Sequence, residues 1–329
     1  MTVNETLATY SNYLVYGAMA AYTIAMIAFA VGFAALRGRD LVPAAAVPAE
    51  QGAGGVAVAT KVELAVGGPD DGALPPGRRA GNIGMSVTWL GTVLLGFGVL
   101  LRGLSVQRAP WGNMCEFSTA SAFAVAVTFL AISLRRDVRW LGVFVVTPVL
   151  LTLGAAMTFL YTDAEQLVPA LKSYWLVIHV SAAMVCGGAF AVGAAVTVLF
   201  LVADSAERSA RLGRPSRLDW LARRIPESVR LDAMAYRIHA FMFPLWTFAI
   251  VAGAIWAENA WGRYWGWDPK ETWAFITWVA YAAYLHARAT AGWKGRKAAV
   301  IALVAFGCFL FNYFGVNIFI TGLHSYAGV

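Results

Sequence analysis

Charged residues are scarce in this sequence. They make up 13% of its 329 residues, whereas hydrophobic residues make up 60%, and a soluble globular protein averages about 25% charged residues. This composition argues against an ordinary soluble protein, as does the mean hydropathy of +0.64. The long uncharged runs predict an all-α polytopic membrane protein, because a lipid-exposed segment must satisfy its backbone hydrogen bonds within its own helix.

Cysteine is almost absent as well. Cys115, Cys186 and Cys308 are far apart and form no CxxC motif, which argues against a thiol relay or a zinc site. We expect them to act as small apolar packing residues. The first twelve residues also lack the basic region of a cleavable signal peptide, so none is predicted.

Eight apolar segments are long enough to cross the hydrocarbon core of a bilayer as helices. They cover residues 12–36, 84–103, 116–134, 141–160, 173–203, 238–257, 272–289 and 299–321. The seventh is the least apolar, because Glu271 and Arg288 bound it closely and His286 lies inside it. We therefore expect about eight transmembrane helices.

The distribution of basic residues predicts an orientation, because lysine and arginine favour the cytoplasmic ends of membrane helices. With the N-terminus outside, twenty of the 25 basic residues fall in the inner connections and five in the outer ones. Both termini are therefore predicted on the outer, non-cytoplasmic side. The net charge of +7 is mainly an orientation signal, and no basic soluble face indicates a nucleic-acid partner.

Two segments differ from the apolar spans. Residues 38–83 are rich in alanine, glycine, valine and proline and are predicted to form a flexible cytoplasmic linker. This linker separates an N-terminal helix, residues 1–37, from a main membrane domain, residues 84–329. Residues 204–232 are rich in arginine with scattered apolar residues, which predicts an amphipathic helix on the inner membrane surface.

Tryptophan is concentrated between the sixth and seventh spans, where five of the 13 tryptophans lie within residues 256–273. They are Trp256, Trp261, Trp265, Trp267 and Trp273. An aromatic belt at the membrane interface would explain one or two of them, and the density favours a surface on which a flat apolar ligand stacks. Asp268, Pro269 and Glu271 also have a local role, since together they form a helix start signal.

The chain contains only four histidines. His179 lies about six residues into the fifth span and His324 follows the eighth, so the predicted topology puts both at the level of the tryptophans. Two imidazoles beside a flat aromatic surface suit axial ligation of haem iron. His286 lies roughly 20 Å deep, where an ionisable residue is usually functional, although neutral packing is the alternative. His239 begins the sixth span, and an ordinary interfacial role is expected for it.

Several motifs resemble one family. WGRYWGWDPKETW at residues 261–273 resembles the WWD signature of haem-handling proteins, and its second half resembles the CcsA branch (ResC or CcsB in some groups) of system II cytochrome c biogenesis. YWLVIHV, YLHAR and GLHSY, which contain His179, His286 and His324, resemble the three histidine segments of that family. GNMCE, with Asn113 and Glu116, resembles its Asn-x-x-Glu stretch, with Cys115 in place of an aromatic residue. The resemblance covers about residues 84–329.

The resemblance implies a role in attaching haem to c-type cytochromes. Haem b would pass His286 from the inner side and be held at the outer face by His179 and His324 as iron ligands, on a platform of the five tryptophans. Asn113, Glu116 and Asp268 would line this site or support its helices. The membrane would be a bacterial cytoplasmic or thylakoid-type membrane.

The implied partners are a ResB-like membrane subunit, an apocytochrome c with a CxxCH motif, and thiol-reducing factors that serve the apocytochrome. Three functional classes stay open. The chain is a component of a holocytochrome c synthase, a haem exporter without synthase activity, or an assembly scaffold. Covalent cytochrome c formed by this chain and its partner alone would favour the synthase, and absence of bound haem would favour the scaffold. The sequence names no catalytic acid or base.

Overall fold

A computed structural model describes residues 3–41, 77–164, 173–290 and 292–324. These ranges are helical and contain no β-strand. The helices are α1 (Glu5–Ala34), α2 (Arg78–Val106), α3 (Met114–Ser133), α4 (Gly142–Thr158), α5 (Tyr174–Arg211), α6 (Asp219–Ala222), α7 (Ser228–Trp261), α8 (Pro269–Ala289), α9 (Arg296–Leu310) and α10 (Val316–Phe319). A 3-10 turn, Arg139–Leu141, precedes α4, and a π-helical turn, Phe311–Gly315, joins α9 to α10.

Seven helical stretches in the described ranges are long and apolar enough to cross a membrane. They are α1, α2, α3, α4 with its preceding turn, α5, α7, and α9 continued through α10. This confirms the prediction of an all-α multi-pass membrane protein. α8 is less apolar than the others, because charged residues lie in its first and last turns and tryptophan and tyrosine fill much of its middle.

α8 nevertheless runs between the same two ends of the bundle as its neighbours. Its 21 residues give a length of about 31 Å, close to the thickness of a bilayer core. At its start, Asp268 accepts a hydrogen bond of 2.7 Å from the backbone of Leu323, which follows α10. Near its end, Arg288 donates two hydrogen bonds, of 2.7 and 2.9 Å, to Asp232 in the first turns of α7.

Two cores share the central helix α5. A larger core around Phe29 joins α1, α2, α3 and α4 to one side of α5. A second core around Phe190 and Tyr281 joins the other side to α7, α8 and α9. Close approach of α5 and α3 requires glycine, since a Cβ on Gly188 would lie 2.7 Å from the carbonyl carbon of Ala124.

The predicted linker lies mostly outside the described residues, which omit 42–76. At its far end, α2 already begins at Arg78, earlier than the predicted boundary at residue 84. α1 packs along α2 over most of its length, with Tyr22 and Phe29 fully buried. The N-terminal helix is thus an integral part of the membrane bundle.

The predicted amphipathic helix over residues 204–232 is wrong. α5 continues to Arg211 and α7 already begins at Ser228, with only the single turn of α6 between them. Contacts within the protein explain these extensions. Glu207 on α5 accepts hydrogen bonds from Arg39, at 2.6 Å, and from the Ser228 hydroxyl, also at 2.6 Å, and these bonds fix the arginine-rich segment to the bundle.

Candidate functional site

A cavity of about 450 Å³ lies between α3, α4, α5, α7, α8 and α9. The cavity begins at the end of the bundle where α7 ends and α8 starts, and it reaches toward the middle of the helices. We call this end of the bundle the tryptophan end. Most of its wall is apolar. The sequence-predicted residues that line it are Asn113, His179, Trp256, Trp261, Trp265 and His324.

His179 enters this cavity from the second turn of α5. Its Nδ1 lies 2.7 Å from the carbonyl oxygen of Ala249 on α7, and because a carbonyl only accepts, Nδ1 carries the proton. The basic lone pair is then on Nε2. The imidazole is nearly parallel to the indole of Trp256, with an interplanar angle of 6° and ring centroids 6.4 Å apart.

A glycine on α7 makes the room for this imidazole. Gly253 lies one turn after Ala249, and a Cβ there would be 2.7 Å from Cε1 and Nδ1 of His179. α7 thus holds the ring through the Ala249 carbonyl and the missing side chain at Gly253. The sequence does not mark Gly253 as a site residue, because glycine is common in membrane helices.

His324 reaches the same cavity from the segment after α10. Its Nδ1 lies 2.7 Å from Oδ2 of Asp268, and its ring contacts Trp256 and Trp261 with centroid distances of 5.7 and 5.1 Å. A carboxylate that accepts from one ring nitrogen fixes the tautomer and raises the basicity of the other, as in many metal-binding histidines. The indole of Trp256 therefore contacts both imidazoles.

Asp268 combines helix initiation with the placement of His324. It forms the predicted capping box with Glu271 at the start of α8, and its Oδ1 accepts from the backbone of Leu323 at 2.7 Å. Burial alone would raise the pKa of Asp268, but the hydrogen bonds from His324 and Leu323 outweigh burial and hold it below its ordinary value. Asp268 is therefore an anion at neutral pH.

The five tryptophans of the predicted platform separate into two groups. Trp256, Trp261 and Trp265 line the cavity, whereas Trp267 and Trp273 are not part of its wall. The side chain of Trp267 is 65% exposed, and its φ of +57° is in the left-handed region, which is uncommon for a residue other than glycine. Trp273 packs against Phe311 with ring centroids 4.2 Å apart.

The structure distinguishes the roles of Asn113 and Glu116. Asn113 lines the cavity and caps α3, accepting a hydrogen bond of 2.8 Å from the backbone of Glu116. Glu116 is only 2% exposed and forms ion pairs with Arg102, at 3.1 Å, and Arg108, at 2.7 Å. It therefore supports the loop before α3 and does not form part of the cavity wall.

The two remaining histidines lie away from this cavity. The side chain of His286 is exposed on the surface of α8. His239 is fully buried and contacts the rings of Phe190, Tyr281 and Tyr284. The interfacial role expected for His239 is therefore wrong, because α7 turns this residue toward α5 and α8.

Three tryptophans of the cavity wall have buried indole nitrogens. The indole nitrogens of Trp111, Trp246 and Trp256 are buried and have no acceptor in the described ranges. A buried donor without an acceptor is unfavourable by about 1–3 kcal/mol.

Two imidazoles, His179 and His324, line this cavity. Within the described part of the chain, no group of three or more histidine, cysteine, aspartate or glutamate side chains is arranged to hold a bare metal ion.

The chain is similar to known proteins over most of its length. The family model described as Cytochrome C assembly protein matches residues 111–324, a range that includes both cavity histidines and all five tryptophans. The cytochrome c biogenesis protein CcsA of Synechococcus elongatus is 37% identical over 283 residues, covering 75% of this chain and 80% of the relative. The chain belongs to the CcsA family.

Other CcsA-family relatives cover a similar part of the chain. The cytochrome c biogenesis protein CcsA of Chlamydomonas reinhardtii is 41% identical over 251 residues, covering 74% of this chain and 67% of the relative. CcsA of Prochlorococcus marinus is 36% identical over 259 residues, covering 71% and 80%. The predicted family is thus confirmed.

Proposed function

We propose that this CcsA-family protein binds haem b in the cavity and presents it for covalent attachment to apocytochrome c. The observation that carries the proposal is the convergence of His179 and His324 on one cavity. Each donates its Nδ1 proton to an acceptor of the protein, the Ala249 carbonyl and the Asp268 carboxylate. Nε2 is then the basic nitrogen of each ring, as an axial iron ligand requires.

The residues around the two imidazoles would position this substrate. Trp256 and Trp261 pack beside the histidines and would contact the porphyrin ring. Two imidazole ligands would close both axial positions of the iron while the complex waits for the apocytochrome. Haem supplies the two vinyl groups to which the cytochrome cysteines add, and the chain contributes orientation, which is worth up to roughly 7–11 kcal/mol in well-aligned reactions.

We further place the tryptophan end on the outer, non-cytoplasmic side of the membrane. Because α8 runs between the same two bundle ends as α7 and α9, it supplies an eighth crossing among the described residues, and an even number puts the two ends of that part of the chain on one side. The excess of twenty over five basic residues then assigns that side as non-cytoplasmic. The membrane would be the bacterial cytoplasmic membrane or a thylakoid-type membrane.

The exposed position of His286 favours a partner subunit. Its side chain is exposed in the last turn of α8 and does not line the cavity, so a neighbouring protein can reach it. A second membrane protein, of the ResB-like kind, would cover it and complete an inner waypoint for haem. Apocytochrome c would dock at the opposite, tryptophan end.

An absorption spectrum of the purified full chain tests the proposal. We expect b-type haem with a six-coordinate, bis-imidazole spectrum after gentle extraction. Covalent cytochrome c formed when this chain and its partner subunit are the only maturation components would then distinguish a synthase component from an exporter. A chain that carries no haem and does not bind added haem would contradict the proposal and favour an assembly scaffold.

Replacement of Asp268 by asparagine is expected to weaken haem binding. Asp268→Asn keeps the shape but removes the carboxylate that orients His324, and loss of such a partner costs about 10–100-fold in metal affinity. Titration of the purified protein with haem measures the change. Asp137→Asn, an exposed aspartate paired with Arg139, is the control and should bind like the wild type.

The hydrogen bond between His324 and Asp268 also predicts how the stability of the folded protein depends on pH. The pKa of Asp268 in the folded protein is lowered. The carboxylate therefore stabilises the folded protein fully at any pH above the ordinary carboxyl pKa. This stabilisation is lost as the pH falls through the lowered pKa of the folded state. The part of the folding stability that depends on Asp268 should therefore be constant from neutral pH to about pH 5 and decline only in stronger acid, which thermal unfolding of wild type and Asp268→Asn across this range measures. Equal affinities of wild type and Asp268→Asn at neutral pH would contradict this role.

A further inference from the structure

One wall of the cavity carries a lysine, Lys270, that within the described ranges forms no hydrogen bond with either cavity histidine. Lys270, in the first turn of α8, lines the cavity, and its Nζ donates a hydrogen bond of 2.8 Å to the carbonyl oxygen of Asn312. That acceptor is a neutral backbone group. In the described part of the chain, the ammonium forms no ion pair with a carboxylate.

Asn312 adds a second polar group at the same place. It lies in the π-helical turn Phe311–Gly315, a kind of turn that often marks functional sites. Asn312 also lines the cavity, and its side-chain amide oxygen is buried without a partner among the described residues. Since a turn of 180° exchanges the oxygen and the NH2 group of a side-chain amide, either group of Asn312 can lie at this position.

The acidic groups near Lys270 are already engaged. Glu271 accepts hydrogen bonds from the backbone of Gly266, at 2.8 Å, and of Asp268, at 3.0 Å, and it pairs with Arg263 at 3.3 Å. Asp268 itself is bound to His324 and to the backbone of Leu323. The amino group of Lys270 is therefore placed to pair with an anionic group inside the cavity.

We propose that Lys270 and Asn312 bind a carboxylate of the ligand, namely one propionate of haem. This inference rests on the proposed function and deepens it. The apolar ring would lie against the aromatic wall, while the carboxylate accepts from the ammonium, a charge-assisted hydrogen bond. Because the vinyl groups of haem b are on the edge of the ring away from its propionates, this contact fixes which edge is presented to the cysteines of the apocytochrome.

The experiment compares haem with its dimethyl ester, in which both carboxylates are blocked. The full-length chain in detergent is titrated with each. We expect the wild type to bind haem at least about tenfold more tightly than the ester, the range for a hydrogen bond to a charged group. Lys270→Met should erase this preference by weakening haem binding alone, and the six-coordinate spectrum should persist, because the iron ligands are unchanged.

Two further variants separate the carboxylate contact from a packing role. Lys270→Arg keeps the positive charge and should retain the preference for haem. Lys294→Met removes an exposed lysine from the opposite end of the bundle and should behave as wild type. Equal binding of haem and ester by the wild type, or a full preference in Lys270→Met, would overturn the inference while leaving the haem site itself intact. A wild-type chain that binds neither compound would overturn the proposed function as well.

Discussion

Simultaneous replacement of His179 and His324 by alanine is expected to abolish haem binding and cytochrome c maturation. Both imidazoles line one cavity and contact Trp256, so no axial ligand is left when both are removed. The loss should exceed about 100-fold, the upper range for losing only a hydrogen-bond partner of a metal ligand. Haem content of the purified chain and covalent cytochrome c in cells are the two measurements.

The single variants give the sharper readout. His179→Ala and His324→Ala should each change the six-coordinate spectrum to a five-coordinate one, because one axial nitrogen remains. Thermal unfolding in detergent checks that each variant is folded. A double variant with an unchanged haem spectrum and full maturation would show that the iron ligands lie elsewhere.

Addition of one methyl group at Gly253 should disturb the site almost as severely. In Gly253→Ala the new Cβ would lie 2.7 Å from the His179 ring, closer than carbon atoms approach in proteins, so the imidazole must move away. A displacement of about 1 Å at a reacting centre can cost 100-fold, and we expect haem loading and maturation to fall by about tenfold to 100-fold. The absorption spectrum should show loss of one axial ligand.

Gly154→Ala is the matched control for this variant. Gly154 lies in the membrane helix α4, and a Cβ there has no atom within 4 Å. The same change of glycine to alanine should leave haem binding and maturation at wild-type levels. If Gly253→Ala also bound haem normally with six coordination, the contact between α7 and His179 would have no part in positioning the ligand.

Most of the fold could be predicted from the sequence, because transmembrane helices depend on local runs of apolar residues. The predictions that failed concern features that depend on tertiary contacts. The arginine-rich residues 204–232 have the composition of a surface helix, but Glu207 binds both Arg39 and Ser228, and these long-range bonds extend α5 and α7 instead. Periodicity within one segment does not contain that information.

The site was predictable where residue type alone was informative. His179, His324 and three of the tryptophans were found because both residue types are rare or concentrated, and depth along a helix follows from counting residues. Direction around the helix does not, since each residue turns by about 100°. His286 therefore faces outward and His239 inward, and the contact between Lys270 and Asn312, 42 residues apart, required the folded chain.

The composition of α8 has a consequence for how the chain enters the membrane during synthesis. A helix with charged first and last turns and an interior rich in tryptophan and tyrosine partitions weakly into lipid by itself. α9, which follows after a short connection and is strongly apolar, can supply the missing driving force if the two insert together as an antiparallel hairpin. The composition of α8 thus makes the integration of this helix depend on the emergence of the next from the ribosome.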